Sequence, residues 1–183
     1  MHERGWTVHL VTDRRAARFA ESFPAEKAHQ IDAATFGSRN PLALVRSGLT
    51  IWRGVRQSSA LLAAIRPQAV VGFGGYPTLP PLFAATRRSV PTIIHEQNAV
   101  MGRTNRMLAP RVTAIAGGFL KAAGPYQDKI VETGNPVRQA VLDVADTPYY
   151  TPEEGRRVRL LVFGGSQGAR FFSETIPEAI ALL

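Results

Sequence analysis

Two short apolar runs end abruptly in glycines, and this repeated junction constrains the fold more than any other feature of the chain. Residues 158–163 (Val-Arg-Leu-Leu-Val-Phe) break at Gly164-Gly165-Ser166-Gln167-Gly168 and resume at Ala169-Arg170 as a helical pattern. Residues 69–73 run in the same way into Gly74-Gly75-Tyr76-Pro77. A strand that turns sharply into a helix aims several backbone N–H groups at one point, which suits a phosphate. Two such turns predict two α/β units of nucleotide-binding type facing a cleft.

The rest of the chain alternates between the two periodicities. Residues 6–12 read as a strand, with Asp13 as N-cap of a helix over 14–22. A weak strand is expected at 28–32. After the Gly-, Ser- and Asn-rich loop 37–41 comes the longest helical stretch, 42–65, ended by Pro67. Further strands are expected at 69–73, 92–95, 112–116 and 129–132. Helices are expected at 79–88, 102–108 and 136–144. Residues 146–157 have the composition of a linker. This order predicts an α/β fold, a Rossmann-like parallel sheet with flanking helices. The boundaries expected are a first domain over 1–134, an interdomain segment over 135–157, and the start of a second domain over 158–183. The opening Met1-His2-Glu3-Arg4-Gly5 looks like the end of a helix whose preceding strand is missing. The last helix lacks a strand to pair with the run at 158–163, so the chain reads as a fragment.

Composition excludes several classes. The chain has 183 residues, 45% of them hydrophobic and 20% charged, which supports a packed core. The net charge of +8 favours a polyanionic partner such as a diphosphate or an anionic membrane surface. The basic residues are spread along the chain and no nucleic-acid-reading motif is present, so no nucleic-acid partner is expected. With no cysteine, disulfides and thiolate metal sites are excluded. No apolar run reaches the roughly 18 residues needed to span a bilayer, and no secretory leader is expected.

Four segments carry the candidate chemistry. In 164–168 the spacing is G-G-x-x-G, unlike the dinucleotide fingerprint or a Walker loop; Ser166 is placed to cap the helix and to meet a phosphate oxygen. Gly74 and Gly75 allow a ligand to approach the backbone, and Tyr76 offers a hydroxyl. His95-Glu96-Gln97-Asn98 stands where a parallel strand ends, the edge at which open α/β sheets place ligands. It is not H-E-x-x-H, because Ala99 follows, so no metal site is expected. Arg138, near a helix start after Pro136, has the fork geometry for a diphosphate or carboxylate. On the long helix, Val45, Leu49, Trp52 and Val55 form an apolar stripe flanked by Arg46, Arg53 and Arg56. That stripe is either core or a membrane-surface face.

The motifs in combination are more specific than any one of them. GFGGYPTLPP at 72–81, HEQNAVMGRTNR at 95–106, TGNPVR at 133–138 and VFGGSQGAR at 162–170 resemble, in order and spacing, those of the MurG family of bacterial N-acetylglucosaminyltransferases. The resemblance implies an incomplete GT-B glycosyltransferase. It implies transfer of N-acetylglucosamine from UDP-N-acetylglucosamine to the C4 hydroxyl of undecaprenyl-pyrophosphoryl-MurNAc-pentapeptide (lipid I to lipid II), with inversion and without a metal or other cofactor. Carried over by position, Asn98, Arg138 and Ser166 would contact the donor, with Gly165, Gln167 and Gly168 beside them. Gly74, Gly75, Tyr76, His95 and Glu96 would face the acceptor. Arg46, Leu49, Trp52, Arg53 and Arg56 would form the membrane face of a peripheral protein at the cytoplasmic side of the inner membrane. The family's G-G-T-G-G-H loop, which bears a histidine, is expected upstream of Met1, so the catalytic residue is not identified in this chain and the fragment alone is expected to be inactive. A transferase for another lipid, or a non-catalytic remnant binding membrane or nucleotide, would retain some of these motifs.

Overall fold

The computed structural model describes residues 4–20, 23–35, 40–148, 151, 160–163 and 169–182. The chain divides into two compact units, Met1–Pro136 and Val137–Leu183.

Among its described residues the first unit holds six parallel strands in two sheets. Strands β1 (His9–Thr12) and β2 (Lys27–Gln30) pair with each other, with His9 opposite Lys27. Strands β3 (Val70–Gly72), β4 (Thr92–Glu96), β5 (Ala114–Gly117) and β6 (Ile130–Glu132) form the larger sheet in that order. The sequence predicts one parallel sheet; among the described residues β1 and β3 are not hydrogen-bonded to each other, so there are two. A side-chain tie joins them instead. The Tyr76 hydroxyl, just past β3, donates to the Asp13 carboxylate, just past β1, at 2.8 Å.

Strand β1 begins at His9 rather than Trp6, because its partner β2 offers only four residues. Asp13 caps the turn that follows, accepting from the Ala16 N–H at 3.1 Å, and among the described residues the helix α1 spans Ala17–Ala20. The long helix α2 (Pro41–Ile65) starts as a capped helix should. Asn40 Oδ1 accepts from the Leu42 N–H at 2.9 Å, and Pro41 occupies the first turn, where a missing N–H is harmless. It ends at Arg66, which takes a left-handed conformation (φ 52°) ahead of Pro67.

Helix α2 faces the core through Gly54, Ser58 and Leu62, one every four residues. A Cβ on Gly54 would collide with the Asp32 carbonyl and lie 3.2 Å from Pro80 Cβ, so only glycine permits this approach. Leu62 packs with Ala84 and Ala85 of α3 (Leu79–Thr86), and Val55 joins that cluster. Val55 therefore stands on the core side of the stripe. Val45, Leu49 and Trp52 remain outside, with Leu49 53% and Trp52 55% exposed.

The main core lies between α3, the larger sheet and α4 (Arg103–Leu108), where Leu82, Ile94, Leu108, Val112 and Ile115 are buried. Each such side chain contributes about 1.5–3 kcal/mol by leaving water. The turn after α4 is closed by Lys129, whose ammonium donates to the carbonyls of Ala109, Pro110 and Val112 at 3.2, 2.9 and 2.9 Å. This core fixes the C-terminal ends of β3 and β4.

None of the described residues of the second unit is buried. Its helices are α5 (Gln139–Leu142) and α6 (Ala169–Ala181). The helix predicted over 136–144 is shorter than expected. Pro136 lies outside it, and Arg138 is its N-cap with extended backbone (ψ 143°). Residues 160–163 are exposed and not in a strand, because no neighbouring strand among the described residues supplies their backbone partners. Residues 158 and 159, and the glycine loop 164–168, lie outside the described residues. Among the described residues no helix is long and apolar enough to cross a membrane.

Candidate functional site

A cavity of about 250 Å³ opens at the C-terminal ends of β3 and β4. It is lined from β3's side by Phe73, Gly74 and Gly75, from β4's side by Glu96, Gln97 and Asn98, and from α4 by Gly102 to Asn105. A wider hollow of about 500 Å³ lies between β2 and α2, with His29 its one titratable lining residue. The smaller cavity has the glycines, the cluster of polar groups and the sheet edge that ligand sites use.

The glycines form the floor by necessity. Gly74 and Gly75 have φ of 80° and 74°, conformations that side-chain-bearing residues rarely adopt. Gly74 also lies against Asn105: a Cβ there would stand 3.3 Å from the Asn105 amide nitrogen. The Thr78 hydroxyl donates to the Gly74 carbonyl at 2.5 Å and holds the turn. Tyr76 leads away from the cavity to Asp13, and the Arg15 guanidinium sits 5.7 Å from its ring centroid. Burial raises the Tyr76 phenol's pKa. The hydrogen bond and charge of Asp13 add to the rise, and Arg15 opposes it.

His95 is 6% exposed, and both ring nitrogens are engaged. Nε2 lies 3.1 Å from the Gly134 carbonyl, which can only accept, so Nε2 carries the proton. Nδ1 then accepts from the Gln97 side-chain amide at 3.1 Å. Gln97 also donates to the Phe73 carbonyl at 3.2 Å, tying the two loops of the cavity together. Asn135 donates to the Gln97 carbonyl at 3.1 Å and lies so close to Gly118 that a Cβ there would overlap its amide. The segment 133–136 is thus fastened behind the cavity.

Glu96 is 2% exposed and accepts four hydrogen bonds. Oε1 takes the Asn98 backbone N–H at 3.1 Å and the Asn98 side-chain amide at 3.0 Å. Oε2 takes the Gly102 N–H and the Asn105 amide, both at 2.9 Å. Burial raises its pKa, but the bonds from Gly102, Asn105 and Asn98 outweigh burial and leave it below the ordinary glutamate value.

Of the residues singled out in the sequence, Gly74, Gly75, Glu96 and Asn98 line one cavity, and His95 braces it through Gln97. Arg138 is exposed in the second unit, and Gly165, Ser166, Gln167 and Gly168 lie outside the described residues. Arg46, Leu49, Trp52, Arg53 and Arg56 are together on the exposed side of α2, with the Arg56 guanidinium 5.0 Å from the Trp52 ring centroid. Sequence reasoning did not single out Asn105, which is 2% exposed and donates to both Glu96 and the His95 carbonyl. The available signal was its place one helical turn before the buried Leu108 and Ala109, where an amide must have a partner. No group of His, Asp or Glu suited to a metal occurs among the described residues.

A parallel α/β unit with a glycine-floored polar cavity at the strands' C-terminal edge defines a Rossmann-like ligand-binding domain. Residues 1–117 match the glycosyltransferase family 28 N-terminal domain, and the chain belongs to that family. Over its whole length it is 67% identical to a protein of Chelativorans sp. (strain BNC1) and 64% identical to one of Mesorhizobium japonicum. Both relatives are described as UDP-N-acetylglucosamine–N-acetylmuramyl-(pentapeptide) pyrophosphoryl-undecaprenol N-acetylglucosamine transferase. The chain spans about half the length of these relatives, 49% in each case. Among solved structures it resembles Acinetobacter baumannii MurG, with a TM-score of 0.66 and 26% identity, over all of this chain and 48% of that one.

Proposed function

We propose that this chain is the acceptor-side domain, with the opening of the donor domain, of an N-acetylglucosaminyltransferase acting in peptidoglycan synthesis. The domain division is the one read from the sequence, with 1–134 on the acceptor side and the donor domain opening at 158. The observation that carries the reading is the cavity itself. Its floor is glycine, its lining is largely neutral and polar, and its one carboxylate is buried and fully hydrogen-bonded. Such a surface can hydrogen-bond a sugar, and Arg103 in the lining offsets the Glu96 charge toward a diphosphate. The names of the relatives supply the substrate class.

The donor is UDP-N-acetylglucosamine and the acceptor undecaprenyl-pyrophosphoryl-MurNAc-pentapeptide. The acceptor's C4 hydroxyl gives up its proton to a base and attacks the anomeric carbon from the face opposite UDP, the bond to the diphosphate breaks, and the configuration inverts. UDP gathers negative charge as it leaves. Arg138 and the N–H groups of loop 164–168 stabilise that charge without a metal, with Ser166 adding a hydroxyl. Asn98 contacts the donor, and Gly74, Gly75, Tyr76 and His95 form and brace the acceptor side. The exposed Leu49 and Trp52, flanked by Arg46, Arg53 and Arg56, rest on the anionic cytoplasmic face of the membrane, where the lipid acceptor resides.

Amide NMR on the isotope-labelled chain tests the assignment. A short-tailed lipid I analogue should shift the signals of Gly74, Gly75 and Tyr76, and UDP-N-acetylglucosamine should shift Asn98. Signals around the cavity that stay fixed with both ligands at millimolar concentration would contradict it.

A further inference from the structure

Glu96 has been grouped with the acceptor-facing residues, yet its geometry gives it a different task. A carboxylate offers about four lone-pair directions. Four donors fill them here, and the side chain is 2% exposed, so no lone pair remains for a substrate hydroxyl. The four bonds come from both ends of one loop. Asn98 is bound near its start and Gly102, the N-cap of α4, at its end, while Asn105 is bound from the first turn of α4.

The orientation of Asn98 follows. An ionised carboxylate can only accept, so the Asn98 amide must turn its NH₂ toward Glu96. Oδ1 is then held away from Glu96, as the acceptor that this exposed side chain offers to the cavity.

We propose that Glu96 is a positioning residue that shapes loop 97–102 and presents Asn98 Oδ1 as an acceptor, so that the ligand group this oxygen reads is a hydrogen-bond donor, a sugar hydroxyl or an acetamido N–H, and not a phosphate oxygen. This rests on the reading that Asn98 meets the nucleotide-sugar donor. A glutamine at position 96 would set an NH₂ against donors and break the arrangement. Glutamate also keeps its charge to lower pH than an ordinary glutamate does, because the four donors stabilise the ionised form. The neighbouring titratable groups are His95, engaged on both ring nitrogens, and Arg103, which lines the same cavity.

Two measurements on the 183-residue chain decide it. The first needs no mutation. As pH falls, the side-chain NH₂ signals of Asn98 and Asn105 should move together with the Glu96 carboxyl carbon, at one midpoint below the ordinary glutamate value. Independent movement would overturn the proposal. The second compares affinity for UDP-N-acetylglucosamine and for UDP in Glu96→Gln, Asn98→Ala and the double variant. Each single change should weaken the sugar nucleotide roughly tenfold and leave UDP unchanged, and the double variant should be no weaker than Asn98→Ala. Additive losses, or equal losses for UDP, would overturn it. If the wild-type chain binds neither nucleotide, the functional reading of Asn98 fails, and the titration still decides the role of Glu96.

Discussion

Tyr76, His95 and Glu96 are titratable groups at or beside the cavity, and each has its polar atoms bound within the protein. The phenol reaches Asp13, the imidazole bridges Gly134 and Gln97, and the carboxylate gathers loop 97–102. The residues thus lie where the strand-end argument puts them, but their engagement could not be read from sequence, because Tyr76 and one nitrogen of His95 find partners in distant segments, and the four donors to Glu96 converge only through the path of the loop that follows it. The proposed donor contacts are therefore sought among Arg138 and loop 164–168. Arg138 is exposed, and Ser166 lies in the glycine loop outside the described residues. In a chimera joining residues 1–183 to the remainder of the Chelativorans relative, Arg138→Ala and Ser166→Ala should each impair use of UDP-N-acetylglucosamine. A lost hydrogen bond to a charged group costs about 1.5–3 kcal/mol, roughly 10- to 150-fold in kcat/KM. Unchanged kcat/KM in both folded variants would remove them from the donor site.

At the scale of elements, α2 separates two readings that its sequence alone left open. The stripe Val45, Leu49, Trp52 and Val55 suits both a core face and a membrane face, and exposure divides it: Val55 packs inward with Leu62, while the other three stay outside. The deciding signal was Gly54, since the close approach to Asp32 and Pro80 sets which side of the helix turns inward. Because Leu49 and Trp52 are more than half exposed, Leu49→Ser with Trp52→Ser should leave the melting temperature nearly unchanged and weaken binding to anionic vesicles. The flanking arginines add about 1 kcal/mol each near such a surface. Co-sedimentation with anionic and neutral vesicles, beside thermal melts, checks this; full vesicle binding by the folded double variant contradicts a membrane role. Elsewhere, α2 was legible nearly to the residue because Pro41 and Pro67 bracket it, whereas α5 was not. Pro136 suggested a helix start that falls instead after Arg138, with only four residues following.

At the scale of the whole molecule, alternation of strand and helix gave the parallel α/β class correctly, and the motif set gave the family. The split into two sheets was not legible, because hydrophobic periodicity reports which segments are strands and not which strands are neighbours. The run at 160–163 shows the same limit: it has strand composition, but a strand needs a partner. The first unit carries all the buried core among the described residues together with the cavity, and the chain spans about half of its relatives' length. The central claim is therefore that these residues supply one side of a glycosyl-transfer site. The chimera with the remainder of the Chelativorans relative tests this most directly, by the transfer of radiolabelled N-acetylglucosamine from UDP-N-acetylglucosamine to a lipid I analogue. The expected result is transfer to the acceptor that is lost without the analogue; a folded chimera that binds both substrates but transfers no label would contradict the account.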